Sequence, residues 1–121
     1  MTAESTQVTA AIIFDGGVPT PTAGVVHVAV LDVSRVDAAA IPVSSVDVVL
    51  EPEPSGAAPR ELEVTLEDVA LEQGRDYIVR AHWEPRGDDD IHPGDQLTTS
   101  SVPLTAGAET TRVAVPLTRI V

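Results

Sequence analysis

A chain of 121 residues is the size of one ordinary domain, able to bury a hydrophobic core without help from disulfides or structural metal. Its formal charge is −12, from nineteen acidic residues against seven basic ones, all arginine. This argues against nucleic acid and anionic membrane as partners, because phosphate surfaces require positive charge to release their counterions. With no cysteine in the sequence, disulfides, thiolate metal sites and thiol nucleophiles are excluded together.

Valine is the most frequent apolar residue and threonine the most frequent hydroxylated one, whereas Phe, Trp and Tyr occur once each. Stiff β-branched side chains suit pleated strands better than helices. Residues 1–6 are expected to be a flexible N-terminus and residues 7–121 a single domain. The opening Met1-Thr2-Ala3-Glu4-Ser5 has neither a basic stretch nor an apolar one, and no apolar run approaches the roughly 18 residues needed to cross a bilayer. The chain as written is therefore expected not to insert into a membrane. It would be cytoplasmic if it is the native full chain, and in the periplasm or cell envelope if a leader has been removed.

Alternation between turn residues marks about seven strands, at 7–14, 25–33, 44–51, 61–67, 76–84, 97–103 and 110–118. In the first, Val8, Ala10, Ile12 and Phe14 share a face, and the run stops at Asp15-Gly16-Gly17. The second, from Val25 to Val33, is apolar on nearly both faces and reads as a central strand. The third turns Val46, Val48 and Leu50 inward before Pro52 and Pro54 end it. The fourth sets Leu62, Val64 and Leu66 against Glu61, Glu63, Thr65 and Glu67, so one side of its sheet faces water.

The fifth strand should bury Tyr77, Val79, Ala81 and Trp83 and expose Arg80 and His82. Tyr77 opens it just after Leu71-Glu72-Gln73-Gly74, where immunoglobulin-type sandwiches close a corner by bonding a tyrosine hydroxyl back to main chain. An ordinary core tyrosine would look the same in sequence. The sixth segment, rich in Thr and Ser, reads as a polar edge strand able to accept a partner strand. The seventh turns Val113, Val115 and Leu117 to the core. Together these elements predict an all-β fold, an antiparallel sandwich of immunoglobulin-like or transthyretin-like type.

Three segments carry a family resemblance: Val28-Ala29-Val30-Leu31-Asp32-Val33-Ser34-Arg35-Val36-Asp37-Ala38, Arg75-Asp76-Tyr77-Ile78-Val79-Arg80-Ala81, and Gly94-Asp95-Gln96-Leu97-Thr98-Thr99-Ser100 ahead of Val102-Pro103-Leu104. They resemble the YbaY-type domain of small bacterial lipoproteins, which is similar to the YscW-type pilot proteins of type III secretion. The likeness runs from about Gln7 to Leu117. It implies a β-sandwich and, for secretion-associated members, a pilot or chaperone role in which a lipid-anchored domain guides an outer-membrane ring protein. The anchor of such members is a modified cysteine, a residue type this sequence does not contain.

Within the resemblance, Asp32, Arg35 and Asp37 are candidate binding residues, a charged patch at the end of a central strand. The competing reading is structural, with Arg35 bridging the carboxylates and Ser34 satisfying main chain. The acidic loop from Glu84 to Asp95 offers Asp88, Asp90 and Asp95 as candidate ligands for a hard cation such as Ca²⁺, with His92 nearby. A solvated hairpin loop is the plain alternative. His27 reads as a core or near-core histidine bonded to main chain, and His82 as solvent-facing.

Catalysis would need a nucleophile, a base and an orienting group brought together. The three histidines, loop serines and unmarked carboxylates suggest no such set, so the chain is expected not to be an enzyme and to need no cofactor, Ca²⁺ aside. The leading functional expectation is a protein-binding or assembly module, monomeric or weakly self-associating. A metal- or carbohydrate-binding sandwich using the 84–95 loop, and a self-associating structural subunit, are the alternatives.

Overall fold

The computed structural model describes residues 4–35, 39–51, 61–88, 90–99, 102–107 and 109–121. Among these residues the chain forms strands β1 (Glu4–Ile13), β2 (Gly24–Asp32), β3 (Ile41–Leu50), β4 (Glu61–Leu71), β5 (Tyr77–Glu84), β6 (Gln96–Leu97), β7 (Pro103–Leu104), β8 (Thr110–Pro116) and β9 (Thr118–Arg119). A three-stranded sheet has the order β4-β1-β8. A six-stranded sheet has the order β3-β2-β5-β6-β9, with β7 also paired to β5. The expected all-β sandwich is the fold observed. Its pairings are antiparallel except one, β1 with β8, which run parallel from Gln7 opposite Thr110 to Ile13 opposite Pro116.

The core is the product of strict alternation. Val8, Ala10 and Ile12 of β1, Val26, Val28 and Val30 of β2, Val79 and Ala81 of β5, and Val115 of β8 are all buried. Each fully buried Val or Ile side chain contributes about 1.5–3 kcal/mol relative to exposure. Val46, Val48 and Leu50 of β3, expected inward, are half-buried and pack against this cluster, as does Val113. Tyr77 is buried, and its hydroxyl accepts the main-chain N–H of Glu72 at 2.8 Å. The corner between β4 and β5 is thus closed as the local pattern suggests.

Two irregularities lengthen strands beyond their expected limits. In β4, alternation breaks after Leu66, which reads as a strand end. Instead Thr6 pairs with Val69 and Val8 with Leu66, so the one residue between them on β1 faces two on β4. The extra residue is absorbed by a bulge at which Asp68 takes φ = 53°, a left-handed conformation that a short polar side chain tolerates. The inward set therefore changes from Leu62, Val64 and Leu66 to Val69 and Leu71, both buried. In β3 the register shifts where Val30 pairs with Ser44 and Leu31 with Pro42. β3 is an outermost strand, so Pro42 is accommodated and the strand begins at Ile41.

The remaining differences lie at chain ends and edges. β1 starts at Glu4, with Glu4, Ser5 and Thr6 opposite Leu71, Ala70 and Val69, so the stretch expected to be flexible is already strand there. The segment expected as one edge strand over 97–103 supplies two short pieces to the same side of β5. Gln96 and Leu97 pair with Trp83 and His82, while Pro103 and Leu104 pair with Ile78 and Tyr77. β9 in turn pairs with β6, which occupies the edge at Gln96–Leu97.

Two variants test these local devices. Tyr77→Phe deprives the Glu72 N–H of its acceptor and should lower stability by about 1–2 kcal/mol in urea unfolding, with the slope unchanged. Asp68→Gly should leave stability within about 1 kcal/mol of the parent, because glycine adopts positive φ freely. Deleting Asp68 removes the extra residue and leaves Glu67 alone opposite Gln7, so Val69 and Leu71 should stay inward and the domain should remain folded by circular dichroism.

Candidate functional site

The charged groups gather on the outer face of the six-stranded sheet. Because β2 and β5 run antiparallel with His27 opposite His82 and Val25 opposite Glu84, every second residue of each strand points away from the core. Asp47 of β3 stands opposite His27. The two imidazoles face each other across strands with ring centroids 5.7 Å apart. His27 Nδ1 lies 2.8 Å from Asp47 Oδ1, and its Nε2 lies 3.6 Å from Glu84 Oε1. The expectation of a main-chain partner for His27 thus gives way to carboxylates on both sides of the ring.

The loop after β5 folds back over this face. Glu84 is fully buried, and its carboxylate accepts the N–H groups of Gly87 and Asp88, the latter at 2.9 Å. Gly87 turns the chain with φ = 78°. Asp95, also buried, receives His82 Nε2 at 2.8 Å, the His92 N–H at 3.0 Å and Arg86 Nη2 at 3.1 Å. Arg86 additionally donates from Nε to Asp88 Oδ2 at 3.1 Å. The expectation that His82 points to solvent is overturned, since the loop covers it and leaves it buried.

Close backbone approach fixes where this loop begins. A Cβ on Gly24 (φ = 104°) would stand 2.6 Å from the Glu84 carbonyl oxygen and 2.8 Å from Trp83 Nε1, so a larger residue would displace the chain. Trp83 in turn donates its indole N–H to the Ala23 carbonyl at 2.9 Å. At the far end of the loop, Gly94 donates to the Ile120 carbonyl and Ile120 donates to the Asp95 carbonyl, each at 2.8 Å. Gln96 is buried and accepts the Asp15 N–H at 2.8 Å.

The candidate cation ligands are divided by this arrangement. Asp88, Asp90 and His92 each offer a ligand atom within 4.8 Å of the others. Asp95 instead holds His82 and Arg86. The grouping joins two carboxylates to an imidazole, whereas calcium favours six to eight oxygen ligands.

In the second candidate patch, Asp32 is held by a local hydrogen-bond network. Asp32 Oδ1 accepts the Ser34 hydroxyl at 2.6 Å and the Ser34 N–H at 2.9 Å, while Oδ2 lies 2.8 Å from Arg75 Nη1. Ser34 Oγ accepts the Asp76 N–H at 2.9 Å, as expected for a residue satisfying main chain. The arginine that bridges Asp32 is Arg75, from the turn before β5, and it also meets Glu72 at 2.8 Å. Arg35 is exposed, and Asp37 lies outside the described residues. The Ser34 hydroxyl and N–H, outweighing partial burial and helped by Arg75, hold the Asp32 carboxyl below the usual carboxylate range.

Burial would raise the Asp95 pKa, but hydrogen bonds from His82, the His92 main chain and Arg86 outweigh it and keep the carboxyl below its ordinary value. Asp88 is likewise lowered, its burial being outweighed by bonds that include those from the Asp90 main chain and Arg86. A depressed carboxyl takes up its proton more readily in the unfolded chain, so it stabilises the fold above about pH 4 and loses that contribution as pH falls through the lowered folded value. Thermal unfolding should therefore show an acid-side loss of stability that begins near pH 4. Asp95→Asn should flatten that acid slope and lower stability at neutral pH by roughly 1–3 kcal/mol through the partners it strands.

The fold and its charged face can be set beside known proteins. A solved structure described as an alternative pilotin from the type II secretion system of Vibrio cholerae superposes with a TM-score of 0.64 over 96% of this chain and 99% of that chain, at 17% sequence identity. At such identity the likeness establishes the shared fold. No curated protein matches in sequence. The family model described as "Type III secretion system lipoprotein chaperone (YscW)" matches residues 3–115. That span holds every strand from β1 to β7 and all of β8 but its last residue, and the chain therefore belongs to the YscW family.

Proposed function

We propose that this domain is a non-enzymatic binding module that accompanies a protein component of a bacterial secretion apparatus, an outer-membrane ring protein, during its assembly. The observation that carries this reading is the family match over residues 3–115, which spans the folded domain and is not confined to one motif. The pilotin fold of the structural neighbour supports it. So does the character of the charged groups. His82 and Asp95 are bonded to each other inside a covered network, an arrangement that stabilises a surface and gives no nucleophile to a base. The reading places the domain's work in the cell envelope, with a protein as its ligand.

Deleting the gene in its host tests the proposal. The fraction of the secretion ring protein recovered as assembled multimers from outer membranes should fall several-fold and return on complementation. Unchanged multimers, in a strain shown to lack the domain, would overturn the reading.

A further inference from the structure

Among the described residues, no strand covers one side of the sandwich. β3 ends the six-stranded sheet and β4 ends the three-stranded sheet, and neither outer edge is paired by another strand among the described residues. The two edges lie beside each other and enclose a cleft of about 400 Å³ lined by Ser44, Ser45 and Val46 of β3 and Thr65, Leu66 and Glu67 of β4. An edge strand presents unpaired N–H and C=O groups, and proteins usually blunt such edges with lysine, proline or a cover. β3 carries Pro42 near its start and no lysine or arginine along its length. Two of the exposed large apolar side chains, Ile41 and Val49, project from it.

The charge on this side has one sign. β3 and β4 together carry Asp47, Glu61, Glu63, Glu67 and Asp68 and no basic residue. Arg112 of β8 reaches across to Glu61 and Glu63 and His27 meets Asp47; Glu67 accepts the Gln7 side-chain amide at 3.3 Å, and Glu67 and Asp68 have no cationic partner among the described residues. With the whole chain at −12, a second copy of itself would bring like charge to this edge, which disfavours self-pairing.

From the open edge, the cleft and the charge, we infer that β3 is a docking edge for an extended, basic segment of a partner protein. The segment adds as a strand along residues 43–50. Pro42 has no N–H to offer and ends the pairing at that side. Main-chain hydrogen bonds supply the affinity. Alternate side chains of the guest meet Val49 on one face and the cleft at Ser44 and Leu66 on the other. Its arginines or lysines are held by Glu67, which lines the cleft on the β4 side. This inference rests on the reading of the domain as a protein-binding module and names the chemistry of what it binds.

The probe is a fluorescent octapeptide of alternating arginine and valine, blocked at both ends, added to the full chain. Anisotropy should show saturable binding that weakens at high salt. Amide hydrogen exchange should slow within residues 43–50 and not within β8. An octapeptide of alternating glutamate and valine, and an arginine-valine octapeptide N-methylated at alternate amides, should each bind at least about tenfold more weakly, the first for charge and the second for lost main-chain pairing. Val49→Lys and Glu67→Lys lie on the surface and should keep the parent's unfolding midpoint while weakening the peptide about fivefold or more. Equal binding of the N-methylated peptide, protection at β8, or unaltered affinity in both lysine variants would overturn the inference. So would concentration-dependent dimerisation that protects residues 43–50 without peptide, which would make a second copy the occupant. Failure here with multimer loss intact in the deletion strain would discard the edge and keep the assembly role. Peptide binding without multimer loss would do the reverse.

Discussion

The pairing of β2 with β5 is the constraint on which the rest of the structure depends. It brings Val26, Val28 and Val30 beside Trp83, Ala81 and Val79 on one face, and His27 beside His82 on the other. The first set forms the centre of the core that β1 and β8 close from the opposite sheet. The second set seeds the charged face that the 85–95 loop covers. Because side chains alternate with a period of two, a slip of one residue in this pair would exchange the faces, placing valines in water and histidines in the core.

Covering a charged face is expensive unless each group finds a partner, and the loop supplies them. Glu84 and Asp95 are buried carboxylates, each of which would cost several kcal/mol if left bare. Main-chain N–H groups of Gly87 and Asp88 satisfy the first, and His82, Arg86 and the His92 N–H satisfy the second. Hydrogen bonds to ionised acceptors are the stronger kind. The acidic loop is therefore tied to the sheet by its own anions.

The same economy of charge separates the two sides of the molecule. Around His82 and Asp95 acids meet bases, and the network is internally matched. Along β3 and β4 acids predominate, and the two outer edges sit beside a cleft. The matched network around Asp95 holds the loop to the sheet. The motif around Asp32 belongs with the first group. Its carboxylate fastens the end of β2 to Ser34 and Arg75.

Much of the fold was legible because it is written in short-range periodicity. Val8, Ala10 and Ile12, or Leu62, Val64 and Leu66, declare both a strand and its inward face, whereas Tyr77 after Gly74 fits a corner tyrosine and a plain core tyrosine alike, and only its bond to the Glu72 N–H decides between them. Periodicity fails where it is interrupted. Asp68 changes parity within β4 and so looks like the strand's end, and only pairing with β1 shows that the strand continues. Nor could the sequence name partners between segments far apart in the chain. Arg35 stood next to Asp32 in sequence, but Arg75 stands next to it in space. Alternation thus marked the longer strands, their inward faces and the all-β class. The tertiary structure decided that β1 and β8 run parallel, that His82 and Asp95 are buried together and that β3 and β4 are left at the open side. Register between distant strands and the path of a loop are set by packing of the whole, which no local run of residues encodes.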